Sequence, residues 1–257
     1  KESKNRVITN ELRQRFLQSL GTLRRKSAKV VRYDFEPTDF FTISTEIRPQ
    51  ESVSASSIKG GGAKTYFYTE KTKETLSDEY VDFFDDATEE GIGYKIIEIK
   101  NHYDFKTPLN AVIADHENEK KFIKQLTSDN NVSHIDAWIK STTTNFYSID
   151  YYWRKGEHPK KGQFNPDFFI KIGDLISVIE IKDDSEISEP SPENKKKREY
   201  ALKHFKLLDE EMKRKKLNTR YNFNFLTPKD FSNYFQSIRN DEIKDGFVSS
   251  LDVELDK

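Results

Sequence analysis

The sequence predicts an α/β fold, a mixed β-sheet flanked by helices, with an accessory α+β region ahead of it. Three observations lead there. Two runs rich in β-branched and aromatic residues, Phe168–Ile172 and Leu175–Ile181, flank Gly173-Asp174, the signature of a tight antiparallel hairpin. Apolar residues recur at helical spacing over Glu117–Leu126, 194–216 and 228–238. A further alternating run, 221–226, follows the longest of these helices. The resulting order of helix, strands, helix and strand is that of a sheet with helices packed on it.

Taken in order, residues 5–29 read as a helix with Ile8, Leu12, Phe16, Leu20 and Leu23 on one face. Arg13, Arg15, Arg24, Arg25, Lys26 and Lys29 make it basic, as a solvated face or as a contact for phosphates. Residues 28–35 and 40–47 alternate weakly, as in a small sheet. Residues 49–64 are rich in Ser and Gly and read as a loop. Gly60-Gly61-Gly62-Ala63-Lys64-Thr65 imitates a phosphate loop but has Ala63 where glycine must precede the lysine. Strands are expected at 65–68 and 92–99, on either side of an acidic helical stretch at 76–90. Next come the helix Glu117–Leu126, strands at 132–141 and 145–153, and a basic turn at 154–163 carrying Arg154, Lys155, Lys160 and Lys161. After the central hairpin, 185–193 is acidic, broken by Pro190 and Pro192, and reads as a loop. The division expected is an accessory or connector region at 1–106 and a domain carrying the chemistry at 107–257.

Composition narrows the function. The length, 257 residues, suits one large domain or two small ones. Charged residues make up 34%, yet aromatics reach 13%, which argues for a folded chain with a highly charged exterior. The net charge of −1 does not by itself announce a nucleic-acid binder. With no cysteine, disulfides and thiolate zinc sites are excluded. No apolar run is long enough to span a membrane, so a cytoplasmic protein without membrane contact is expected. The chain starts at Lys1 and its one methionine is Met212, so a piece of a longer polypeptide is expected.

The hairpin carries the chemistry. Its first strand opens with Pro166-Asp167 and its second closes with Glu180-Ile181-Lys182. Side chains alternate along a strand, so Glu180 and Lys182 share a face. The antiparallel fold-back then sets Asp167 beside Glu180. Two crowded carboxylates repel unless a cation sits between them, and a hard ion such as Mg²⁺ suits two acidic oxygens and a backbone carbonyl. A neighbouring lysine suits phosphodiester hydrolysis, steadying the attacking water and the developing charge. Acid-x-lysine triplets also occur at Glu2, Glu98, Glu119, Glu211 and Glu242; most read as solvated faces of helices or loops, and Glu98, which follows an apolar run, has no Pro-Asp strand upstream. His102, His116, His134, His158 and His204 show no metal-pair spacing, and nothing suggests acyl transfer. Trp138, Trp153, Tyr147, Tyr151 and Tyr152 read as core or sheet-face residues.

Pro166-Asp167 followed by Glu180-Ile181-Lys182 resembles the PD-(D/E)XK nuclease superfamily, whose core follows the same element order. The wider text is similar to the C-terminal endonuclease domain of type III restriction enzyme motor subunits and related helicase–nuclease defence proteins. The similar phrases are Glu119-Lys120-Lys121-Phe122, Trp138-Ile139-Lys140-Ser141, Phe164-Asn165-Pro166-Asp167-Phe168 and 221–226, so the resemblance spans roughly 107–240. It implies a restriction-endonuclease-like sheet. It also implies Mg²⁺, with Mn²⁺ as substitute, on Asp167, Glu180 and the Ile181 carbonyl. Lys182 would position the water. Glu119 matches the acid on the helix before the sheet that tunes or completes the metal site, with Glu117 as competitor.

Lys195, Lys196 and Lys197 open the long helix, where they either meet a phosphate backbone or form a solvated start. Lys140 either reaches a phosphate or lies on the surface. The activity implied is Mg²⁺-dependent cleavage of DNA in restriction or antiviral defence. The partners implied are a helicase or translocase motor, in the same full-length chain or a separate subunit, and a specificity subunit. No motor motifs occur in this chain. The rival readings are a nucleic-acid-binding or interaction module with a degenerate nuclease fold, and a nuclease for RNA or DNA junctions.

Overall fold

Gly173-Asp174 reverses the chain as expected. Gly173 has φ of 59°, a backbone region where a Cβ is strained, and it joins two strands whose apolar residues alternate faces. The computed structural model describes residues 116–141, 147–155 and 158–257, with short pieces at 65–67, 89, 91, 96–99, 106–107 and 109–114. The first described elements are β1 (Thr65–Phe67), β2 (Ile96–Glu98), β3 (Leu109–Ile113), α1 (Glu117–Leu126), α2 (Asp129–Val132) and β4 (Ala137–Lys140). Then come β5 (Ile149–Lys155), β6 (His158–Phe164), β7 (Phe168–Ile172), β8 (Leu175–Ile181), α3 (Ser185–Ser188) and α4 (Pro192–Arg214). The chain closes with β9 (Arg220–Leu226), α5 (Pro228–Arg239), a 3₁₀ turn (Glu242–Asp245) and α6 (Ser250–Leu255).

The fold is mixed α/β. A four-stranded sheet runs in the order β4-β7-β8-β9. Its β4–β7 and β7–β8 pairs are antiparallel, and β8–β9 is parallel. A parallel pair needs a crossover connection, which α4 supplies. As the central strand, β8 is buried on both faces. One face packs on α1 and α5, where Phe122 meets the rings of Phe168 (4.9 Å), Phe231 and Phe235 (both 5.2 Å between centroids). On the other face Val178, Phe223 and Phe225 pack with Ala201, Phe205 and Leu208 of α4, with Ile149, Tyr151 and Phe164, and with Leu251 and Leu255 of α6.

Several expectations need correction. The strand expected at 132–141 shrinks to β4, because the preceding polar residues form a helical turn. There Asn131 donates to the Gln125 carbonyl (2.7 Å) and accepts from Arg239 (2.5 Å). The strand at 145–153 and the basic turn at 154–163 are instead β5 and β6, a two-stranded antiparallel ribbon outside the main sheet. Pro159 and Gly162 make this stretch read as a turn. Both are compatible with a ribbon in which each strand is an edge. Gly162 lies under the Tyr151 ring, and a Cβ there would collide with it. The loop expected at 185–193 contains α3, whose Ser185 N–H donates to Asp183 (3.0 Å).

At the C-terminal end α6 was not anticipated. Its Asp252 accepts from Asn224 (2.7 Å) and the Phe225 N–H (3.1 Å) and pairs with Arg198 (2.5 Å), which also holds Asp256 (2.8 Å). Towards the N-terminus, β1 and β2 fall within the strands expected there. Both pair with β3, so this sheet joins residues on either side of the expected boundary at 106/107. The elements expected at 5–29, 28–35, 40–47 and 49–64, and nearly all of 76–90, lie outside the described residues. Among the described residues no helix is long and apolar enough to cross a membrane.

Because Tyr151 is buried and its hydroxyl donates to Glu193 at the start of α4, it has little room to swing aside. Gly162→Ala is therefore expected to destabilise the fold by about 1–3 kcal/mol through overpacking. Urea unfolding would measure this, and an unchanged midpoint would show that the ribbon shifts without cost.

Candidate metal centre and active site

The ladder pairs Phe168 with Ile179, so one step further places Asp167 opposite Glu180 at the open end of the hairpin. Backbone and side-chain bonds hold the Pro-Asp step there. The Asp167 carbonyl accepts from the Ser141 N–H (2.8 Å) just beyond β4, and the Ser141 hydroxyl donates to the Pro166 carbonyl. The Asp167 carboxylate accepts from the Ile181 N–H at 2.7 Å through Oδ2. It is thereby tied to both neighbouring strands.

Glu180 is only 7% exposed. Its Oε1 accepts from Lys182 Nζ at 2.6 Å, while Oε2 is buried without a hydrogen-bond partner. Burial, and then the Asp167 charge, push the Glu180 carboxyl up to about 7 against the opposing pull of Lys182. For Lys182, burial disfavours the ammonium, but Glu180 and Asp167 outweigh it and raise its pKa. Lys182 is therefore a cation and hydrogen-bond donor at neutral pH. Its N–H donates to the Leu226 carbonyl (2.8 Å), extending the parallel pairing past the end of β8.

On α1 the helical turn separates the two competing acids. Glu117 is exposed and pairs with Lys120 (2.8 Å), whereas Glu119, three residues before buried Phe122, is 8% exposed. Lys140 Nζ stands 3.3 Å from Glu119 Oε2, within ion-pair reach but without the alignment of a full hydrogen bond. Burial raises the Glu119 pKa, Lys140 opposes the shift, and Asp167 adds to it. Glu119, Asp167, Glu180, Ile181 and Lys182 all line one pocket of about 540 Å³, together with His116, Glu117, Asn118 and Asp183.

Among the described residues no three Asp, Glu or His groups converge closely enough to hold an ion by themselves. Asp167 and Glu180 with the Ile181 carbonyl still suit Mg²⁺ or Mn²⁺, because Mg²⁺ is commonly held by one or two carboxylates and keeps several waters. The buried, unpartnered Glu180 Oε2 is an oxygen such an ion would satisfy.

The four lysines expected at nucleic acid divide into two that turn inward and two that are exposed. Lys140 is 3% exposed and paired with Glu119, so it is neither a surface lysine nor open to a phosphate backbone. Lys197 turns inward, 3.5 Å from Glu193 and over the rings of Tyr151 and Phe164. Lys195 and Lys196 are exposed at the start of α4, where Lys196 pairs with Glu199. Sequence reasoning did not assign Ser141 or the Lys140–Glu119 pair. Their only linear signal is a polar step at the end of a strand. Comparison with protein-family models, with curated proteins and with solved structures finds no match.

Glu180 starts from an ordinary value of 4.5 in the unfolded chain and is held at about 7 in the folded one. The folded state thus binds the extra proton, and the stability from this group is lost as pH rises through that window. Without divalent ions, the melting temperature of the wild type should fall more between about pH 5 and about pH 8 than that of Glu180→Gln. Parallel curves in scanning calorimetry would remove the buried Glu180 charge as the cause.

Proposed function

We propose that the chain is a divalent-metal-dependent endonuclease of the PD-(D/E)XK type, with a restriction-endonuclease-like core, hydrolysing phosphodiester bonds of DNA. One observation carries the reading. The hairpin register brings Asp167 against Glu180 and Lys182 in a single pocket, with a Glu180 oxygen buried and unpartnered. The order α1, β4, β7, β8, α4, β9, with β8 and β9 parallel, supports it, being the core order of that superfamily.

Asp167 and Glu180 would hold Mg²⁺, or Mn²⁺ in its place, with the Ile181 carbonyl as a third contact. When bound, the ion supplies positive charge against the scissile phosphate. The chain's own residues do the rest. Glu180 fixes the Lys182 ammonium at 2.6 Å, leaving it donors for the attacking water and for a phosphoryl oxygen as negative charge builds on it. The Ile181 N–H orients Asp167, and Ser141 holds the Pro-Asp backbone at the end of the sheet. Glu119, paired with Lys140, lines the same pocket, where its carboxyl would accept hydrogen bonds from waters held by a bound ion. In this reading the biological setting is restriction or antiviral defence in the cytoplasm. The partners are a helicase or translocase motor, in the same full-length chain or a separate subunit, and a specificity subunit. Lys195 and Lys196, exposed at the start of α4, would meet the DNA backbone.

Supercoiled plasmid should be nicked or linearised with Mg²⁺, and left intact with EDTA or by Asp167→Ala. Cutting that survives both would sink the proposal. Lys182→Ala should lose cleavage by about a hundredfold or more while keeping its affinity for DNA, since Lys182 acts on developing charge. Glu119→Gln should slow cleavage more than Glu117→Gln, and the reverse order would move the pocket acid two residues upstream.

A further inference from the structure

A buried lysine ammonium is costly unless a carboxylate answers it, and Lys140 is answered by Glu119. Lys140 is the last residue of β4 and pairs in register with Phe168, the residue after Asp167. Its Nζ lies 5.5 Å from the Phe168 ring centroid. The next residue, Ser141, holds the Asp167 backbone. The ammonium is therefore fixed between the helix acid and the Phe168 ring. Within the pocket, Lys182 donates a hydrogen bond to Glu180 Oε1 at 2.6 Å. Neither Glu119 Oε2 nor Glu180 Oε2 has a hydrogen-bond partner, but Glu119 Oε2 already has a cation at 3.3 Å, which leaves Asp167 and Glu180 Oε2 as the pair facing an ion.

We propose that the pocket takes one divalent cation, on Asp167 and Glu180, and that the Lys140 ammonium stands beside Glu119 in the place of a second. This rests on the nuclease reading above and specifies its metal content. In sites with two ions the metals lie roughly 3.5–4 Å apart and share carboxylates between them. A lysine at that place neutralises the helix acid at every metal concentration and opens no coordination positions to a phosphate. Cleavage should then rise with Mg²⁺ along a curve of first order, not second.

The test is a count of bound ions on this chain, by calorimetric titration of Mg²⁺ and by electron paramagnetic resonance of Mn²⁺. Wild type and Lys140→Arg should each take one ion, and Lys140→Met a second, with folding checked by circular dichroism. Two ions in the wild type would overturn the assignment of Lys140 and leave the nuclease reading standing. A single ion in folded Lys140→Met would overturn it as well. No ion in the wild type, together with an inert plasmid assay, would overturn the nuclease reading and this inference with it. Should Lys140→Met fail to fold, Lys140→Gln carries the same expectation, and two ions in the wild type remain decisive.

Discussion

Two carboxylates, Asp167 and Glu180, are brought side by side at the end of a strand pair, and one of them is withdrawn from water. Their repulsion is the constraint around which the sheet end is built. Left alone, such a pair would protonate or part. It is held by a lysine fixed to Glu180, by a backbone N–H on Asp167, and by strand pairing that gives neither residue another place to go. The neighbouring acid, Glu119, is kept in the same way by its own lysine. The pocket is therefore an acid-rich arrangement of fixed charges, and its position follows from the register of β7 on β8.

That register is secured from both sides. Because β8 is central, every residue from Ser177 to Ile181 is buried, and a slip of one step would exchange Val178 and Ile179 between two differently shaped cores. The aromatic cluster around Phe122 fixes α1, and hence the depth of Glu119, against the same strands. On the opposite face, α4 and α6 lock β9 through Arg198, Asp252 and Asn224. Stability and site geometry thus rest on shared contacts.

The parts of the fold legible in the sequence were those set by local periodicity. The hairpin ends where the apolar runs end, α1 spans Glu117–Leu126 as its pattern implies, and the spacing of Glu119 to Phe122 distinguishes the buried acid from exposed Glu117. What was illegible depends on distant partners. Gly162 reads as a turn residue, and only the Tyr151 ring above it shows that it serves a strand. Lys140 reads as a surface charge because nothing in its neighbourhood along the chain names Glu119, more than one element away. Asp252 becomes a structural acid only when β9 and α4 converge on it.

The β5–β6 ribbon enters the chain between β4 and β7, and the two ends of this excursion are joined by the bond from the Ser141 N–H to the Asp167 carbonyl. The excursion is a loop already closed at its base. The entropy of closing such a loop grows only with the logarithm of its length. Residues can be added to or removed from the ribbon's far end while the base, and the acid it carries, stay in place. The site therefore sits beside a ribbon anchored in the core through Ile149, Tyr151 and Phe164, with only its far end open to change. Under the nuclease reading, the far end of this excursion is where contacts to a target could change while Asp167 and Glu180 keep their places.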